Sequence, residues 1–352
     1  HEAEPDVENS PLSSVAAVLW DGGGDGTSWH DPLNWDGDVL PVDTDDVVIS
    51  LPDGDPVISF TGLSGTRTVR SIVSDEALAI SGGTLTLSGG ASEFRSDFSL
   101  TGGSLIVSSA GTTVTAVGMT VLQNATIRAQ DSAVSTFAAD VLSNVNLYAR
   151  GGSEILFPVA TSYVDSGNGN VLEASGSGSR IDLSALATFD GGDHTSTRLK
   201  ALEGGWLGLS GAFSSWTSWT LSGAGSAFDV SGVTSLSGAA VSVGAGHALN
   251  WTSTMALASV SITASEGASV SFSAAESLND VSLNANDGSE IAFPVATSYL
   301  DGGHGEVLEA SGVGSRIELS ALATFDGGYH TSTQLKALEG GWLGVSGALS
   351  SS

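Results

Sequence analysis

From Gly152 onward, apolar and polar residues alternate at period two, the pattern of strands with one buried face. Each alternating stretch follows a turn glycine: Gly152, Gly178, Gly204, Gly225, Gly246, Gly267, Gly288, Gly314 and Gly340, spaced 26, 26, 21, 21, 21, 21, 26 and 26 residues apart. Three positions after these glycines stand Ile155, Ile181, Leu207, Phe228, Leu249, Val270, Ile291, Ile317 and Leu343, with no polar exception. Five positions after stand Phe157, Leu183, Leu209, Val230, Trp251, Phe272, Phe293, Leu319 and Val345. Units of this length with no helical 3.6 period predict one solenoid coil each, built of short strands and glycine corners. Weaker copies around Asp131, Gly111 and Gly90 extend the stack towards the N-terminus. About thirteen coils at ~4.8 Å each predict a rod of roughly 60 Å. Parallel crossovers are overwhelmingly right-handed, so the expected fold is an all-β, right-handed parallel β-helix. A leucine-rich repeat is excluded, because neither an Asn ladder nor a helix-forming segment accompanies the Leu positions.

A longer period overlies the short one. Residues 153–215 recur as 289–351, displaced by 136, with 52 of 63 positions identical. A unit this long and this faithfully duplicated belongs to an array. A third cycle would begin at Ser352, so two readings are open: a piece of a longer molecule, or a protomer that meets another copy head-to-tail and propagates as a filament. The apolar stretch Val15 to Leu19 is the candidate strand for that contact, either on its own first coil or on a neighbour's last one. The expected organisation is an acidic leader and cap over 1–60 and a β-helix over 61–352.

Composition narrows the function. The net charge is −29, and the segment before Arg67 carries fourteen Asp and Glu and no Lys or Arg. Such a field repels nucleic acid and acidic polysaccharides and favours divalent cations. Cys is absent, so no disulfide holds the fold and Cys nucleophiles are excluded. The run Val15 to Trp20 is far too short to span a bilayer, and no basic region precedes an apolar core, so direct membrane insertion is not expected.

The first sixty residues differ in style. The stretch from Trp20 to Ile49, with Trp20, Trp29, Asn34, Trp35, Pro41, Asp46 and Val48, together with the Gly-Gly-Thr-Leu-Thr run after Ser81, resembles the opening of repetitive β-strand surface proteins of the autotransporter-passenger and haemagglutinin-like type. The resemblance covers about a quarter of the chain by motif and the rest by repeat style. It implies a secreted, extracellular protein of a bacterial surface. The ten-residue alternating strands of a membrane barrel are missing, so the analogy is incomplete. The three Trp are read as core of a plug over the first coil, with an exposed sugar-stacking platform as the alternative.

Four sets of residues could carry chemistry. Asp21, Asp25, Asp31, Asp36, Asp38, Asp43, Asp45, Asp46, Asp53 and Asp55 crowd into 35 residues; hard oxygens on Gly-rich turns suit calcium, while Asp also caps turns with its own backbone. Calcium is expected at Asp21, Asp25, Asp36, Asp38, Asp43, Asp45 and Asp46 if anywhere, although the spacing fits neither an EF-hand nor a β-roll nonapeptide. Equal phase on successive coils makes a surface row of Glu154, Arg180 and Trp206, and another of Glu290, Arg316 and Trp342. Arg180 and Arg316 should pair with the acid and stack on the indole, as a stabilising ladder or as a glycan platform. The five extra residues of each 26-residue coil form a ridge of loops at 165–169, 190–194, 301–305 and 326–330. There Asp301, His304, Asp326 and His330 could hold zinc or nickel or be ordinary polar loops. The fourth set is the pool of 39 acids, too large for a glycosidase pair to be read from it.

No G-x-S-x-G elbow, H-E-x-x-H or phosphate loop occurs. The expected function is therefore an extracellular structural or adhesive β-solenoid that is not an enzyme, with partners among surface glycans, another cell-surface protein or further copies of itself. The alternative is a carbohydrate-active β-helix enzyme acting on a neutral glycan.

Overall fold

The structure is a computed structural model and describes residues 17–52, 54–62, 65–193, 196–244, 246–328 and 332–350. It contains thirty-four strands and one 3-10 turn, Pro32–Asn34. The chain forms a parallel β-solenoid of about thirteen turns. One row of paired residues runs Arg67, Leu85, Leu105, Ile127, Leu147, Leu172, Leu199, Trp219, Val241, Ile262, Leu283, Leu308 and Leu335. A second row runs Leu100, Leu122, Leu142, Tyr163, Phe189, Phe213, Leu236, Leu257, Leu278, Tyr299, Phe325 and Leu349.

The third row contains the residues expected three positions after each glycine. Ile155, Ile181, Leu207 and Phe228 pair in order, as do Leu249, Val270, Ile291, Ile317 and Leu343. All but Leu343 are buried. Parallel in-register stacking brings like side chains face to face. Trp251, Phe272 and Phe293 stack at 4.4 and 4.9 Å, and Tyr163, Phe189 and Phe213 at 4.5 and 4.6 Å. A buried phenol must keep a hydrogen bond. Tyr163 donates to the Val145 carbonyl at 2.9 Å, and Tyr299, its counterpart 136 residues on, donates to that of Val281 at 2.8 Å.

The boundary expected at residue 60 does not coincide with a break in the sheet. Val18–Trp20 pairs in parallel with Asp46–Ile49, which pairs with Ser71–Ser74, and Val57–Phe60 pairs with Ala77–Ile80. The alternating stretch near residue 18 therefore lies on its own first coil, and the stack begins inside the acidic segment. Trp29 and Trp35 are fully buried and Trp20 nearly so, packed edge-to-face at 4.7 and 4.8 Å, with Trp29 also against Phe60 at 5.7 Å. These indoles are core, not a sugar platform.

Corners come in two kinds. In the shorter coils one left-handed residue turns the chain, as at Asn124, Asn144, Ser215, Ser259 and Asp280. Gly238 takes that place in one coil with φ 66°, where a Cβ would stand 2.7 Å from the Ser215 carbonyl oxygen. In the longer coils the same corner is replaced by a loop.

Candidate functional site

In the acidic cap, Asp21, Asp25, Asp31 and Asp45 use their carboxylates on their own turns. Asp25 Oδ1 accepts from the backbone of Thr27 and Ser28 and from Asn34 Nδ2 at 2.9, 2.7 and 2.8 Å. These bonds, Ser28 and Thr27 foremost, hold its carboxyl below the usual range. Asp21 accepts from Gly23 N, Asp31 from Asp25 N and Leu33 N, and Asp45 from Val42 N. Asp46 takes Arg70 at 2.7 Å and Ser71 Oγ at 2.5 Å. For Asp36 and Asp38, the backbone N–H donates to Leu19 O and Trp35 O, and Asp43 O lies 3.4 Å from Ser88 Oγ. Among the described residues, no three His, Asp or Glu side chains converge in a way that could hold a metal; Asp53 lies outside them. The organising residue is Asn34, whose side chain makes four hydrogen bonds in a fully buried position.

Both surface rows form in the expected register, Glu154–Arg180–Trp206 and Glu290–Arg316–Trp342. The guanidinium groups lie 4.0 and 3.9 Å from the indole centroids. In the first row the acid partner needs correcting: Arg180 bonds Asp182 at 2.6 Å, not Glu154, because Asp182 projects from the same face of the same strand two residues on. In the second row Arg316 pairs with Glu290 at 3.6 Å, as expected, and also with Glu318 at 2.9 Å. Burial opposes the charge of Asp182, but Ser184 and Arg180 outweigh it and hold the carboxyl below its ordinary range. The far edge of the Trp206 ring fills the space over Gly208, where a Cβ would stand 2.2 Å away; Trp342 does the same over Gly344. With one face under Arg and one edge over Gly, each indole is seated in a ladder.

The ridge is also built differently from its expectation. Leu300 pairs with Asp326, so Asp301 and Asp326 are one residue out of phase and point to opposite faces. Asp301, 2% exposed, turns inward and accepts from Gly303 N, His304 N, Glu306 N and Thr333 Oγ1 at 2.8, 2.9, 3.2 and 2.8 Å. Asp165 in the first copy does the same for Asn168 N, Asn170 N and Thr197 Oγ1. These aspartates hold loops closed. Asp326 accepts from Gly328 N at 3.1 Å, His304 is exposed, and His330 and His194 lie outside the described residues.

The ridge is interrupted, and the interruption is a trough. Between the loop at 191–196 and the loop at 301–306 lie four simple corners: Ser215, Gly238, Ser259 and Asp280. At ~4.8 Å per row, the two loops stand about 24 Å apart. The space holds about 510 Å³. Its floor follows the outward row Ala240, Ser261 and Ser282, all small; the same row continues to Ser218 and Arg198, which line a separate hollow with Asn168 and Gly169. Trp216, 58% exposed, borders it near the first loop, and Asp280, His304 and Glu306 border it at the second. No ring or guanidinium stacks on Trp216 among the described residues. Glu306 accepts from Ser282 Oγ, and Asp280 Oδ1 accepts from Gly302 N at 2.5 Å. Trp216 carries no periodic mark in the sequence; its only signal is that Thr217, Trp219 and Leu221 occupy the inward positions of its strand, which puts Trp216 outside.

Comparison with protein-family models, with curated proteins and with solved structures returned no match. No helix among the described residues is long and apolar enough to cross a membrane.

Proposed function

We propose that this chain is an extracellular adhesive β-solenoid of a bacterial surface that takes an extended glycan lengthwise into the trough beside Trp216. The observation that carries the reading is the indole itself. A large exposed aromatic beside a concave floor of small and hydroxyl side chains marks a binding surface, and an indole face suits the C–H face of a sugar ring. The net charge of −29 disfavours acidic glycans and nucleic acid. The surface location rests on the resemblance of residues 20–49 to repetitive surface proteins.

The test is a glycan array probed with the intact chain and with Trp216→Phe and Trp216→Ala, followed by product analysis of each bound glycan. Ala should weaken binding at least about tenfold, the loss of one central aromatic anchor, and Phe should restore part of it. Binding indifferent to Trp216 would overturn the proposal. A glycan that is cut, with cutting abolished by Asp280→Asn or Glu306→Gln, would instead make the chain a carbohydrate-active enzyme.

A further inference from the structure

We infer that the glycan accepted by the trough bears free amino groups, one of which sits between Asp280 and Glu306. The inference rests on the glycan reading above and adds the chemistry of the occupant. Its basis is the charge at the end of the groove beside the second loop. That end carries two carboxylates, and among the described residues no Lys or Arg forms an ion pair with either of them. Each accepts a bond from a neutral donor only, Gly302 N for Asp280 and Ser282 Oγ for Glu306. A carboxylate has more acceptor sites than one such bond fills. Two of them at the end of a trough floored by small side chains leave room for an ammonium group.

The duplicated unit supplies an internal comparison. Asn144 stands where Asp280 stands, Asn146 where Ser282 stands, Asn168 where His304 stands and Asn170 where Glu306 stands, each displaced by 136. The backbone task is the same in both copies: Asn144 Oδ1 accepts from Ser166 N at 2.6 Å as Asp280 Oδ1 accepts from Gly302 N. An uncharged side chain therefore suffices to build this corner. The acids contribute charge beyond what the fold uses, and they contribute it at the copy whose loop faces the trough. An amine is the complement of that charge, and a sugar that carries one is the occupant that also satisfies Trp216.

Titration calorimetry in 0.15 M salt separates the possibilities, with three probes of matched length: a β-1,4-glucosamine oligomer, its fully N-acetylated counterpart, and oligolysine. The glucosamine oligomer should bind about tenfold more tightly than the acetylated one, the worth of one hydrogen bond to a charged group. The double variant Asp280→Asn, Glu306→Gln should erase that preference, bringing the two sugars to equal affinity. It keeps the acceptors that Gly302 and Ser282 use, and circular dichroism verifies its fold. Trp216→Ala should weaken both sugars and spare oligolysine. Equal affinity for the two sugars, or a preference that survives the double variant, overturns the amino-group inference and leaves the glycan reading standing. Binding of neither sugar overturns both, and binding of oligolysine alone with no effect of Trp216→Ala reduces the observation to bulk charge attraction.

Discussion

Asp301→Asn is the sharpest probe of how the trough wall is held. The carboxylate receives four bonds, two on each oxygen. An amide keeps one acceptor oxygen, so it can serve Gly303 N and His304 N but turns an N–H towards Glu306 N and Thr333 Oγ1. Thr333 Oγ1 can turn to accept from that N–H, so the bond from Glu306 N is the one lost, and losing one bond to a buried charged acceptor costs about 2 kcal/mol, or about thirtyfold in the loop's opening equilibrium. The loop lies outside the aromatic stacks, so the cost falls on local opening rather than on global unfolding. Hydrogen exchange of the segment 300–311 reads it directly, and the loop at 165–170, closed by Asp165 in the same chain, is the internal control. Exchange should accelerate in the first segment only. Acid should do the same to the unaltered protein: burial pushes the Asp301 carboxyl up, but Thr333, His304, Gly303 and Glu306 outweigh it and hold it below its ordinary value. A depressed folded value means the stabilisation is complete above the unfolded carboxylate range near ~3.9 and is lost as pH falls through the lower folded value. Unchanged protection in Asp301→Asn, or equal acceleration in both loops, would refute the role given to this carboxylate.

Asn34→Ala should loosen the cap by about 2–3 kcal/mol, because it removes four hydrogen bonds made by a fully buried side chain; a red shift of Trp emission at lower urea, from Trp20, Trp29 and Trp35, checks it, and an unmoved transition argues against Asn34 as organiser. Phe272→Ala, between Trp251 and Phe293, should cost about 3–5 kcal/mol by opening a cavity in the stack, read as a lower urea midpoint of the main transition, and a loss below about 1 kcal/mol would mean the stack is not a stabilising core.

Most of the fold was legible because a solenoid converts sequence spacing into lateral neighbours. Glycine spacings of 21 and 26 located the inward residues from Ile155 to Leu343 and the surface rows ending in Trp206 and Trp342. What was misread involved single-residue phase. Asp182 lies two residues from Arg180 on one strand face and takes the place expected of Glu154, while Glu318 joins Glu290 beside Arg316 in the same way, and period-two alternation alone contains that fact. Asp301 and Asp326 are 25 residues apart in a coil of 26, enough to send one inward and the other outward. The trough was not legible, because no motif encodes it. It exists where four consecutive coils lack an insertion that the coils on either side possess, and an absence becomes a wall and a floor only when the coils are stacked.

The two copies show how such a fold separates stability from recognition. Eleven of the 63 aligned positions differ. Inward replacements keep apolar character, as Leu209 with Val345 and Phe213 with Leu349, because each stacks on an apolar neighbour in the adjacent coil. Ser166 with Gly302, Asn168 with His304, Asn170 with Glu306 and Arg198 with Gln334 change charge, size or hydrogen-bonding capacity, and all lie on or beside the corner loops; Asp193 is replaced by Tyr329, which lies outside the described residues. Those loops are held by Asp165 and Asp301 from inside, with Thr197 and Thr333 as fixed partners. An identical clasp carrying different outward side chains lets one corner change chemistry while the coil beneath it stays in register. The second copy's loop thus places Glu306 at the end of the trough where the first copy has Asn170, so the acidity of that end arises from divergence between two copies of one unit.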